Sequence, residues 1–142
     1  MKVIFLDVDG VLNSSQDGFT IKLGTNKHLE LLKQIVDKTD AKIVLSSSWR
    51  INNKTKSFIE NKLNDYGMSI ISSIPDLGSS RGEEIKSWLR ETTDFIESFV
   101  ILDDDSDMDE YTRARLVQTN RDMGLQETDV IKAINILCEP RG

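Results

Sequence analysis

The 142-residue sequence holds one cysteine and one histidine. A lone Cys138 cannot close an internal disulfide. It falls among Val130, Ile131, Ile134 and Leu137, the apolar positions of a C-terminal helix, and reads as a small core residue. His28 stands on a helix with three lysines and has no second ligand at metal-binding spacing. It reads as a surface residue, which removes serine–histidine triads and histidine-based acid–base chemistry. No apolar run approaches the roughly 20 residues of a membrane span. The N-terminal apolar run is interrupted by Asp7 with no small-residue cleavage site after it, so a signal peptide is not expected and a cytoplasmic location is. Excess positive charge is also missing: 18 Lys and Arg against 24 Asp and Glu give a net charge of −6, which argues against nucleic-acid binding driven by overall charge. Without an internal repeat, low-complexity tract or long linker, the chain reads as one domain over residues 1–142.

The charge that is present is uneven. Residues 22–62 carry Lys22, Lys27, Lys33, Lys38, Lys42, Arg50, Lys54, Lys56 and Lys62 against four acids, whereas residues 91–110 carry nine acids and no base. Crowded carboxylates repel one another, so a bound cation is the natural expectation for the acidic segment, and the basic segment suits an anionic substrate.

Apolar patterning gives the order of elements. Lys2–Leu6 reads as a buried strand, Asn26–Lys38 as a helix capped by Thr25, and residues 14–24 between them as a loop or small hairpin. Lys42–Leu45 is a second strand, followed by a helix over about 54–66 with Phe58, Ile59 and Leu63 inward and Gly67 as its stop. Ser69–Ser72 is a third strand. Ser80-Arg81-Gly82-Glu83 matches a capping box opening a helix that buries Ile85, Trp88 and Leu89. Phe99–Leu102, Arg115–Val117 and a helix over about 127–138 complete the chain. Strands alternating with helices predict a three-layer α/β domain with a mainly parallel sheet and helices on both faces.

Ligands of open parallel sheets bind beyond the carboxyl ends of the strands. Three predicted strands end there in polar groups: Asp7 and Asp9 after the first, Ser46 to Ser48 after the second, and Asp103, Asp104 and Asp107 after the fourth. Asp7 and Asp9 alone suit an ordinary Asp-Gly turn; their convergence with a second acidic strand end is what points to a site. Asp103, Asp105 and Asp107 have the opening spacing of a calcium-binding EF-hand loop, but Met108 stands where Gly is required and Ala114 where Glu is. Trp49 reads as core or cleft wall in preference to a base-stacking platform.

Asp7-Val8-Asp9-Gly10-Val11-Leu12-Asn13 after an apolar strand resembles the signature of the haloacid dehalogenase (HAD) superfamily of phosphohydrolases. Ser46 after Ile43-Val44-Leu45 resembles its second motif, and Asp103-Asp104 after Val100-Ile101-Leu102 its fourth. The third motif, usually a lysine, has no clear counterpart; Arg81 is the first candidate, with Lys86 and Arg50 as alternatives. Ser47-Ser48-Trp49-Arg50, Arg81-Gly82-Glu83-Glu84-Ile85, Val100–Met108, Leu116-Val117-Gln118-Thr119 and Gly124-Leu125 are similar to compact HAD domains of nucleic-acid end-repair proteins.

That resemblance implies a Mg²⁺-dependent phosphatase in which Asp7 is the nucleophile and Asp9 the acid/base. Asp7, the Asp9 backbone carbonyl and Asp104 would be metal ligands, with Asp103 or Asp107 as alternatives. Ser46 would donate to a phosphoryl oxygen, Arg81 would neutralise charge, Gly10 would allow close backbone approach, and Ser47 and Arg50 would assist substrate binding. With about 38 residues between Asp7 and Ser46 the resemblance implies a Rossmann-like fold with no large cap, open to a nucleic-acid end, a nucleotide or a phosphoprotein, and the basic segment 22–62 favours a nucleotide or a nucleic-acid terminal phosphate. Two rivals differ in class. A receiver-like phosphoacceptor domain is disfavoured by Asp9, and an inactive HAD-like binding module is favoured if Arg81 lies outside the site.

Overall fold

A computed structural model describes residues 1–21 and 26–139. Five strands, β1 (Lys2–Leu6), β2 (Lys42–Leu45), β3 (Ile70–Ser73), β4 (Ser98–Asp103) and β5 (Leu116–Gln118), form one all-parallel sheet in the order β3-β2-β1-β4-β5. The helices are α1 (Lys27–Thr39), α2 (Asn53–Asp65), α3 (Arg81–Glu91), the short α4 (Glu110–Arg113) and α5 (Glu127–Leu137). The chain is therefore an α/β Rossmann-like fold, and between Asp7 and α1 its described residues form only a 3-10 turn, Ser15–Asp17, with no cap.

Side-chain alternation along the strands divides the interior in two. Ile4, Leu6, Ile43, Leu45, Val100 and Leu102 pack with residues of α1, α2 and α5, including Leu32, Ile59 and Leu137. Val3, Phe5, Val44, Phe99 and Ile101 pack with Ile85 and Leu89 of α3. Each such aliphatic or aromatic side chain contributes on the order of 1.5–3 kcal/mol by leaving water, and a one-residue slip would exchange two differently shaped sets. The register is what matters for the site: Leu6 is paired with both Leu45 and Leu102. The next residues on three adjacent strands are consequently Ser46, Asp7 and Asp103.

Several expectations need correction. Thr25 lies outside the described residues, as does Gly24, and α1 is capped by Asn26, whose Oδ1 accepts from the Leu29 amide at 3.1 Å. Phe58 is 40% exposed, because Ile59 and Leu63 set the inward face of α2 and Phe58 lies well to one side of it. Cys138 is exposed at the C-cap of α5, past its last inward residue, Leu137. Trp88 is only half-buried; its indole N–H donates to Ser72 Oγ at 2.9 Å while its ring meets Phe5 edge-on. Strands β3 and β5 each begin one residue later than the pattern suggested. No helix among the described residues is long and apolar enough to cross a membrane.

Candidate active site

The strand order reverses between β1 and β4, and the polar residues gather where that reversal opens a crevice. Asp7 continues the sheet past β1, its amide donating to the Leu102 carbonyl at 3.0 Å, while the Ser46 amide donates to the Leu6 carbonyl at 2.9 Å. At Gly10 the chain turns with φ +82°, and a Cβ there would fall on the Asp104 carboxylate. Glycine is thus what admits Asp104 beside the first loop. Thr119, from the end of β5, donates to the Gly10 carbonyl at 2.6 Å and holds that loop down.

Asp7, Asp103 and Asp104 bring one carboxylate oxygen each within 4.8 Å of one another. Ser80 caps α3, its Oγ accepting from the Glu83 amide, and this sets Arg81 at the first helical position facing the acids. Arg81 Nη1 donates to Asp103 Oδ2 at 3.0 Å and lies 3.6 Å from Asp7 Oδ1. These four residues line a cleft of about 260 Å³ together with Ser79 and Glu84. Asp103 is 2% exposed, and burial followed by the charge of Asp7 pushes its carboxyl up to about 8. Burial raises Asp7 as well, against the lowering pull of Arg81. Three acids face one guanidinium, their crowding holds protons on the site that a cation would displace, and the donors are all hard oxygens. Such a set fits a divalent cation of the Mg²⁺ type.

Asp9 is held by different neighbours. Its Oδ1 accepts from Asn13 Nδ2 at 2.9 Å and its Oδ2 from Trp49 Nε1 at 3.1 Å. Asn13 is buried and fully engaged: its Oδ1 accepts from the Gly10 amide at 2.9 Å, and its Nδ2 also donates to the Phe19 carbonyl at 3.0 Å. Among the described residues, buried Ser46 Oγ has no hydrogen-bond partner. A hydroxyl left so costs on the order of 1–3 kcal/mol, a cost that a phosphoryl oxygen would remove.

Four sequence candidates stand apart from the three clustered acids. Arg50 donates to the carbonyls of Ile74, Ser46, Ser47 and Pro75 and forms a 3.1 Å ion pair with Glu84, each partner's side chain being 6% exposed. All its donors are spent bracing the segments behind the site, so it is not free to bind substrate. Ser47 is buried and its Oγ caps the short 3-10 turn Ser48–Arg50 by accepting from the Trp49 amide. Lys86 pairs with Asp109 and Glu83. Asp107 is exposed and lines the rim of the cleft without joining the three clustered acids. His28 is half-buried, its Nε2 within 2.9 Å of the Met123 carbonyl. Asn13 and Glu84 are the residues whose parts the sequence reading left unassigned. The signal for Asn13 was a buried-type amide four residues after Asp9 in one tight loop; for Glu84 there was none.

No curated protein and no solved structure matches the chain at a significant level. Residues 3–130 match the family described as the HAD domain in Swiss Army Knife RNA repair proteins, a span running from β1 into α5 and containing every group of the cleft. The chain belongs to this family of compact HAD domains.

Proposed function

We propose that the chain is a Mg²⁺-dependent phosphomonoester hydrolase acting on the terminal phosphate of a nucleic acid or nucleotide. Family membership supports phosphohydrolase chemistry at the general level, and HAD proteins generally use a divalent metal. The observation that carries the reading is the meeting of Asp7, Asp103 and Asp104 with Arg81 at two adjacent strand ends. Placement of Arg81 in contact with both Asp7 and Asp103 also speaks against an inactive binding module.

Asp7, Asp103 and Asp104 would hold Mg²⁺, which when bound neutralises charge between carboxylate and phosphate. Asp7 attacks phosphorus through a carboxylate oxygen, and the ester P–O bond breaks. Arg81 offsets charge on the phosphoryl oxygens and Ser46 Oγ donates to one of them. Asp9, fixed by Asn13 and Trp49, gives a proton to the leaving oxygen and takes one from the water that then hydrolyses the aspartyl-phosphate. The family's description, RNA repair, and the capless cleft favour an RNA end over a small metabolite.

The test is phosphate release, with and without Mg²⁺, from small phosphomonoesters, nucleotides and RNA or DNA oligomers phosphorylated at either end. Metal-dependent release is expected, greatest with RNA oligomers. No release from any of them would overturn the reading.

A further inference from the structure

Trp49 joins the catalytic loop to the outside of the molecule. Its indole N–H donates to Asp9 Oδ2, and its ring lies 6.2 Å from that of Phe58, inclined at 47°. Phe58 lies on α2, 40% exposed. Lys54, Phe58 and Lys62 recur every fourth residue and so share one stripe of the helix, with Lys62 Nζ 5.5 Å from the Phe58 ring centre. Asp65 follows at the far end of this stripe. Among the described residues neither lysine forms a salt bridge with a carboxylate.

We infer that Phe58, Lys54 and Lys62, backed by the half-buried Trp49, form a shelf for the single-stranded ribonucleotides adjoining the terminal phosphate, an inference that rests on the proposed activity and names where its substrate lies. Aromatic rings stack bases of any sequence, and ammonium groups meet the phosphates between them. With a net charge of −6 the whole chain repels a polyanion, so attraction has to come from a local basic stripe such as this one. The hydrogen bond from Trp49 to Asp9 makes the shelf continuous with the groups that act on the phosphate.

The test separates binding from turnover by using an unphosphorylated single-stranded oligoribonucleotide, fluorescently labelled, with fluorescence anisotropy as the readout. Phe58→Ala is expected to weaken binding about tenfold or more, and Phe58→Tyr to restore it. Phe58→Leu, which keeps the apolar packing on α2, guards against a folding artefact and should also bind weakly. Replacing both lysines, Lys54→Gln with Lys62→Gln, should lower the slope of log affinity against log salt by about 1.4. Unchanged affinity in Phe58→Ala and in the lysine pair would overturn the shelf, as would dimerisation of the chain through Phe58 in sedimentation. Phosphate release with no dependence of RNA binding on Phe58 overturns the shelf alone. Phe58-dependent binding with no phosphate release supports the shelf and overturns the phosphatase reading.

Discussion

Replacing Asp103 by asparagine removes a charge while keeping the side chain's shape, and it is expected to stabilise the metal-free protein. Asp103 is 2% exposed beside Asp7, with its carboxyl pushed from 3.8 up to about 8 by burial and by that neighbour. Two carboxylates within 4.8 Å repel by about 3.5 kcal/mol or more at an effective dielectric of about 20. The folded-state pKa lies above the unfolded value, so the native state retains the proton and wild-type stability falls as pH rises from about 4 to about 8. At pH 7 this costs at most about 4 kcal/mol relative to a side chain that cannot ionise. Asparagine can still accept from the Asp105 amide, a 3.0 Å bond to Oδ1, and donate toward Asp7, but it loses the charge-assisted bond from Arg81. That loss offsets about 2 kcal/mol and leaves a gain of about 2 kcal/mol, or about 4–8 °C in melting temperature.

Urea unfolding in chelator at about pH 5, 7 and 9 measures the gain, which should grow with pH. Saturating Mg²⁺ should stabilise the wild type more than the variant and close the gap. A difference that is flat across pH, or a variant less stable than wild type at every pH, would refute the reasoning.

Asp7→Asn should leave the fold intact and lower kcat on a phosphomonoester by about 10³-fold or more; undiminished turnover would remove Asp7 as the nucleophile. Glu84→Ala strands the buried Arg50 guanidinium and should cost about 3–5 kcal/mol in thermal unfolding. The double change Arg50→Met with Glu84→Leu should cost clearly less than the sum of the two single changes, and an additive loss would show that the pair does not act as a unit.

The central strands were legible because a parallel strand covered on both faces is a continuous apolar run, and KVIFL, KIVL and FVIL are such runs. Asp7, Ser46 and Asp103 were legible for a related reason: each is the first polar residue after its run, and the register of the sheet places them abreast. Phe58 and Cys138 were misread because a pattern of apolar residues gives a helix its period without fixing how wide its buried face is. Arg50 and Arg81 could not be separated from sequence. Both are arginines close to a strand end, and what distinguishes them is that Arg50 meets four carbonyls and Glu84, contacts made by segments distant in the chain.

Asn13 makes the strongest case that the site depends on positioning as well as on charge. It joins three things at once: the Gly10 amide of the turn that admits Asp104, the Asp9 carboxylate, and the Phe19 carbonyl of the loop beyond. Deleting its side chain would leave the Gly10 amide without this acceptor and cost on the order of 1–3 kcal/mol, so Asn13→Ala alone would confuse stability with catalysis. Asn13→Asp separates them. The carboxylate can still accept from Gly10 but no longer donates to Asp9 or to the Phe19 carbonyl, and it sets a like charge against Asp9, so its unfolding is measured beside its kinetics. Trp49 then remains the only side chain of those described that holds Asp9, through Oδ2. A folded Asn13→Asp protein should therefore lose about tenfold or more in kcat with KM little changed, because the acid/base would be misaimed while the cleft that binds the phosphate is untouched. If KM rises while kcat is retained, Asn13 shapes the cleft and Asp9 does not need to be held.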